Sequence, residues 1–162
     1  MILGFSQVIN KKPSYFVEKI SKGIAGFTPA VADLAIKAAY SFNWDVYSEC
    51  SPKIHTARED KAARWRAGMN IQAVIHNRTS RRCQFIPNKP CVTTQRMKVH
   101  YWYNSATELF DVPAVYIDGR ELTSTEIDTL AVNDGFANRG EFFEYFNTDW
   151  LGTLIHWTNL KY

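Results

Sequence analysis

Arg96-Met97-Lys98-Val99-His100-Tyr101-Trp102-Tyr103 sets apolar side chains at every second position, with Met97, Val99, Tyr101 and Tyr103 alternating against Arg96, Lys98, His100 and Trp102. Successive side chains of an extended chain point to opposite faces, so this pattern reads as a half-buried strand. Upstream, Ile71, Ala73 and Ile75 alternate with Gln72, Val74 and His76 in the same way. Downstream, Ala114-Val115-Tyr116-Ile117 runs into Asp118-Gly119 and then Arg120-Glu121-Leu122. Asp-Gly between two such runs predicts a tight hairpin, because both turn positions need a left-handed backbone. Thr153 to Leu160 is more continuously apolar and reads as a closing strand in a central or barrel position.

Helices flank these strands. A short one is predicted to begin near Pro13 and stop at Gly23, and a second to run from Pro29 to Phe42, with Thr28 as cap and Val31, Leu34, Ala35, Ala38 and Ala39 on one stripe. Thr123-Ser124-Thr125-Glu126 is a capping box whose helix turns Ile127, Leu130 and Ala131 inward and ends near Asn133-Asp134-Gly135. Asn138-Arg139-Gly140-Glu141 starts an aromatic helix through Phe142, Phe143, Tyr145 and Phe146, expected in the core with Trp150 and Trp157. The expected fold class is α+β: a small β-barrel with surrounding helices.

With 162 residues and 46% hydrophobic content the chain suits one domain, 1–162, with a helical insertion at about 21–50. Phe27, Tyr40, Phe42, Trp44 and Tyr47 make that insertion either a lid or a dimer contact, and the oligomeric state stays open. The composition is not that of a disordered, collagen-like or coiled-coil chain. Neither a membrane span nor a signal peptide is legible, which gives a cytoplasmic expectation and no membrane partner. Cys50, Cys83 and Cys91, an odd number, read as reduced thiols. Cys83 and Cys91 with His76 or His100 lack the close paired spacing of a zinc site, so neither metal nor cofactor is expected.

Charge is segregated. Residues 53–100 hold eleven Lys and Arg against Glu59 and Asp60, a net +9, whereas residues 101–150 hold ten acids against Arg120 and Arg139, a net −8. The basic block either attracts phosphate backbones or pairs with the acidic block across a surface. Arg78, Arg81 and Arg82, beside Asn77, Thr79 and Ser80, form a loop suited to phosphates, and Lys98 lies near Trp102, which is either a base-stacking platform or a core residue. Of the four histidines only His55 falls inside a polar motif, Lys53-Ile54-His55-Thr56-Ala57-Arg58-Glu59-Asp60. In an extended segment Lys53, His55 and Ala57 point one way and Ile54, Thr56 and Arg58 the other, so Lys53 meets Thr56 only if the backbone turns. On spacing alone this is a solvated polar turn, or else a Lys that serves as base to a Thr nucleophile.

That motif resembles the signature of the ASCH domain, a relative of the PUA fold: Gly-x-Lys-x-x-Thr-x-Arg, then a Gly before a strand, then an acidic residue ahead of Gly-Phe. The chain has Ser51-Pro52-Lys53-Ile54-His55-Thr56-Ala57-Arg58, then Gly68-Met69-Asn70-Ile71, then Asp134-Gly135-Phe136 and Glu141-Phe142. The likeness covers Gly4-Phe5-Ser6, the helix after Pro13 and nearly everything from Lys53 onward, leaving 21–50 as the insertion. It departs at Ser51, where the family has Gly, and at Asp134, where it has Glu.

The resemblance implies a PUA-like barrel and an RNA-associated domain that holds RNA or a modified nucleoside in a cleft formed by Lys53, Thr56, Arg58 and Asp134. Alternatively it implies an amidohydrolase removing the acyl group from N4-acylated cytidine, with Lys53 activating Thr56 and Asp134 in support, or a ribonuclease using the same cluster. On this reading Arg58 and His55 contact substrate, and Arg78, Arg81, Arg82 and Lys98 contact nucleic acid.

Overall fold

Three strands of alternating pattern build the middle of an open five-stranded sheet. β8 (Thr93–His100) lies between β11 (Ala114–Ile117) and β13 (Trp150–His156); β12 (Arg120–Glu121) and β4 (His55–Arg58) form the two edges. The computed structural model describes residues 1–27, 39–104, 109–110 and 112–162. Every neighbour in the sheet is antiparallel, with Val99 opposite both Val115 and Trp150, and Thr56 opposite Ile155. The β11–β12 turn carries Asp118 at φ 51° and Gly119 at φ 86°, the left-handed pair that Asp-Gly predicts.

Four helices among the described residues accompany the sheets: α1 (Phe16–Lys22), α2 (Trp44–Glu49), α3 (Ser124–Asn133) and α4 (Arg139–Tyr145). One face of the five-stranded sheet buries Met97, Val99, Val115, Ile117 and Leu154 beneath α3 and α4. The Thr123 capping box is present in full. At α4 the Asn138 side chain accepts the Glu141 amide, while Glu141 reaches back to the Ala137 amide rather than to Asn138. A second apolar core joins α1 to a smaller sheet, in which β1 (Ile2–Gly4) runs parallel to β5 (Asn70–Ile75), and β6 (Cys83–Gln84) and β7 (Lys89–Pro90) pair antiparallel with β5. Ile155, on the reverse face of β13, closes that core. Two short ribbons complete the described strands: β2 (Val8–Ile9) with β3 (Lys12–Pro13), and β9 (Tyr103–Asn104) with β10 (Leu109–Phe110). No helix among the described residues is long and apolar enough to cross a membrane.

The expected PUA-like barrel is not formed. Among the described residues no strand joins the β4 edge to the β12 edge, and the chain instead makes separate open sheets around two cores. Alternation specifies which side chains turn inward, but not which strands pair, and the β4 edge is closed off differently: the Asp134 carboxylate takes the Ala57 amide at 3.3 Å.

Three element bounds also differ from expectation. Pro13 sits in β3, and the helix starts after Tyr15, whose left-handed backbone (φ 53°) turns the chain into Phe16. The strand expected through Tyr103 ends at His100, leaving Trp102 53% exposed rather than in the core. The closing strand spans Trp150–His156 and takes a central place. The helix expected over Pro29–Phe42 falls mainly on residues 28–38, outside the described ones, whereas Trp44–Glu49 forms α2 with Asn43 as cap.

Candidate functional site

Lys53 is held by its backbone from two sides before its side chain does anything. Its amide donates to the Lys19 carbonyl of α1, and the next amide, Ile54, donates to the Asn133 carbonyl at the end of α3. Gly23 permits this seat, since a Cβ there would meet the Lys53 carbonyl at 2.5 Å. Lys53 is only 1% exposed, an unusual state for a lysine, and its ammonium donates to the Asp134 carboxylate at 2.7 Å and to the Asp134 backbone carbonyl. The ammonium also lies 4.8 Å from the Phe16 ring centre. Gly135, at φ 92°, leaves room for the lysine stem and Phe16, each of which a Cβ would meet at 3.0 Å.

Asp134 is the hub. Besides Lys53 it accepts the Ala57 amide, and its carboxylate lies 3.5 Å from His55 Nδ1, an electrostatic approach too long for a good hydrogen bond. Burial opposes ionisation of this carboxyl, but Lys53 and His55 together hold its pKa below the ordinary value. Lys53 is lowered to about 8: burial pushes it down most, Asp134 pulls it back up, and Arg58 and Lys19 add to the lowering. Burial likewise lowers His55, which is therefore neutral near pH 7. Its Nε2 pairs with the Tyr162 hydroxyl at 2.7 Å; that hydroxyl also accepts from Asn133, and Gln95 binds the Tyr162 amide and carbonyl.

The two faces of β4 decide which expected partners meet. His55 and Ala57 turn toward Asp134, and Thr56 and Arg58 turn away, because β4 stays extended. Lys53 and Thr56 are therefore not brought together. The Lys53 ammonium is engaged by Asp134, and the Thr56 hydroxyl makes no hydrogen bond among the described residues, although Thr56 is only 4% exposed. Arg58 donates through Nη2 to the Gly4 carbonyl at 2.8 Å and packs over Phe5; among the described residues neither its buried Nε nor the buried Nε2 of Gln7 has a partner. His55 is fully buried behind Tyr162.

A cleft of about 220 Å³ opens beside the cluster, with Phe16 and Phe136 as walls and Lys12, Lys19, Glu141 and Glu144 at its rim. Phe16 and Gly135 separate it from Lys53, so none of Lys53, Thr56, Arg58 and Asp134 lines it. Arg78, Arg81 and Arg82 are exposed on the turn between β5 and β6, on a different sheet from Lys98.

Sequence reasoning missed His156, Tyr162 and Gln7. His156 is fully buried on β13, opposite His55 with ring centres 5.2 Å apart, and neither of its ring nitrogens has a partner among the described residues. The one signal for it is a lone histidine at the end of the most apolar strand. Comparisons with family models, curated proteins and solved structures find no match to this chain, so the ASCH resemblance rests on its motifs.

Proposed function

We propose that the protein binds single-stranded RNA, or a nucleoside with a modified base, on the Arg58 face of β4, with the Lys53–Asp134 pair buried behind it. The observation carrying this reading is the unspent donor capacity around Gly4–Gln7: the buried Arg58 Nε and Gln7 Nε2 have no acceptor among the described residues. A buried donor left unpaired costs about 1–3 kcal/mol, and an acceptor-rich ligand such as a nucleobase carbonyl or a phosphate recovers it. Lys53 is also acted on by two further cations, Arg58 and Lys19, against the Asp134 carboxylate, an imbalance that favours an anionic or acceptor-rich guest.

The test is calorimetric titration with cytidine, N4-acetylcytidine and a short single-stranded RNA at low salt, repeated for Arg58→Ala. Binding weakened about tenfold or more in Arg58→Ala supports the reading, in line with a lost charge-assisted hydrogen bond. Binding unchanged in that variant refutes it.

Hydrolysis of N4-acylated cytidine is the second reading, favoured by the Lys53 ammonium's being depressed to about 8, so that it gives up its proton far more readily than an ordinary lysine and leaves a minor neutral fraction at pH 7. It requires the Thr56 hydroxyl and a base to come within hydrogen-bond reach on substrate binding. Acetate released by the wild type and lost in Thr56→Ala would carry this reading; shortening of the RNA chain would carry ribonuclease action instead.

A further inference from the structure

The reverse face of the five-stranded sheet runs outward from Arg58. Residues directly opposite one another on paired strands share a face, so the register sets three successive rows. Arg58, Thr153 and Arg96 form the first row, Leu151, Lys98 and Tyr116 the second, and His100 with Ala114 the third. α3 and α4 cover the opposite face, and the smaller core covers this one only as far as Ile155. Beyond that lies a cleft of about 310 Å³ lined by Arg96, Lys98, Tyr116, Gly119 and Leu151.

The side chains here suit one kind of occupant. Arg96 and Lys98 make no side-chain ion pair or hydrogen bond among the described residues, and Lys98 lies 5.8 Å from the Tyr116 ring centre. At the end of β8, Trp102 is 53% exposed and stands edge-on to His100 at 4.2 Å. Among the described residues three acids border the patch: Asp118 on the Arg96 amide, Glu121 opposite Tyr116 and Asp149 on His100. Alternate residues along a strand are spaced by about 6.6 Å, so Arg58, Arg96, Lys98 and the Trp102 end form a graded path rather than a point site.

We infer that this face is a track for single-stranded RNA. Arg96 and Lys98 hold phosphates, Tyr116 and Trp102 stack bases, and the Arg58 row receives one end of the strand. A basic groove with aromatic platforms is how sequence-tolerant single-strand binding is built, and charge complementarity selects this occupant. The track rests on the RNA reading above and adds the path.

The test is fluorescence anisotropy of a labelled twelve-nucleotide single-stranded RNA across a salt series, with Arg96→Ala, Lys98→Ala and Trp102→Ala, each confirmed folded by circular dichroism. Free cytidine and N4-acetylcytidine are titrated against the same proteins. Each cation variant is expected to weaken RNA binding severalfold and to lower the salt slope by about 0.7, the contribution of one phosphate contact on a single strand. Trp102→Ala is expected to cost on the order of tenfold with the slope intact. Nucleoside binding should not move in any of them. RNA bound with unchanged affinity and slope in all three variants overturns the track while the cluster reading survives. Nucleoside bound without RNA also overturns the track alone, and failure to bind either removes both.

Discussion

Asp134→Asn keeps the shape and an acceptor oxygen toward Lys53 and Ala57 but removes the charge that keeps Lys53 protonated. Breaking a buried ion pair from one side commonly costs about 3–5 kcal/mol. Here the lysine has an escape, because burial already brings it down to about 8. At pH 7 the wild type favours the charged lysine over the neutral one by about one pH unit, or about 1.4 kcal/mol. Once the carboxylate is gone the protein falls back on neutral Lys53, so the lysine's share of the loss stops near that figure.

The sign follows from proton counts. In the variant the folded pKa lies further below the ordinary lysine value of 10.5, so the folded variant holds fewer protons than the folded wild type on the acid side of pH 8. The loss therefore grows by about 1.4 kcal/mol per pH unit toward acid, reaching about 4 kcal/mol at pH 5, and vanishes above about pH 8. For a chain of this size that is a melting shift of roughly 3–6 °C at pH 7 and 8–16 °C at pH 5. Urea unfolding at pH 5, 7 and 9, with a carbon-detected NMR titration of the Lys53 side chain, reads both quantities. A stability difference that is flat from pH 5 to 9, or a Lys53 titration that does not move, would refute the assignment of Asp134 as the partner that keeps Lys53 charged.

Three further outcomes follow from the same geometry. Burial, with His55 alongside, takes His156 down to about 3, so the unfolded chain binds a proton that the folded one refuses and stability falls as pH drops from 6.5 toward 3; His156→Leu should flatten urea midpoints over that window, with His55 leaving a residual slope in the same direction. Gly152→Ala should destabilise by about 1–3 kcal/mol, because the new Cβ meets the Arg58 carbonyl and the Trp150 ring; a melting temperature unchanged by the added methyl would contradict the close β13–β4 approach. Tyr162→Phe removes the hydroxyl shared by His55 and Asn133 and should cost about 1–3 kcal/mol, seen as a drop in melting temperature together with a changed His55 NMR titration.

Local signals are legible in proportion to how local their physics is. Asp118-Gly119 and Thr123 with Glu126 involve neighbours in the chain, and both form as their residue types dictate. The start of α1 departs from the expected one because Pro13 suits a ribbon edge as well as a helix entry, and the left-handed Tyr15 that sets the true start leaves no mark in composition. Barrel against open sheet is beyond reach for a different reason. The parallel pairing of β1 with β5 spans about seventy residues, and hydrophobic period carries no information on partner choice. The opposition of Thr56 to His55 is legible in the two-residue period. The meeting of Lys53 with Asp134, 81 residues apart, is suggested only through the ASCH likeness.

The strand β4 resolves the tension between a motif that looks catalytic and a lysine whose protons are already placed. An edge strand offers three directions: two faces and a row of free backbone groups. Here one face gives His55 to the buried pair, the backbone gives the Ala57 amide to Asp134, and the other face gives Thr56 and Arg58 to the basic side of the sheet. The charge network is thus anchored to the same four residues that begin the proposed RNA path, with no side chain serving both. That division favours binding over covalent chemistry. A ligand arriving along Arg96 and Lys98 meets Arg58 first, and its presence alters the field on Lys53 through Arg58, one of the two cations that depress it. An anion at Arg58 should therefore raise the Lys53 pKa, so occupancy of the sheet face becomes visible as a displacement of the Lys53 titration curve toward higher pH. A curve unmoved by saturating RNA would separate the two faces of β4 energetically and confine the ligand to the outer rows.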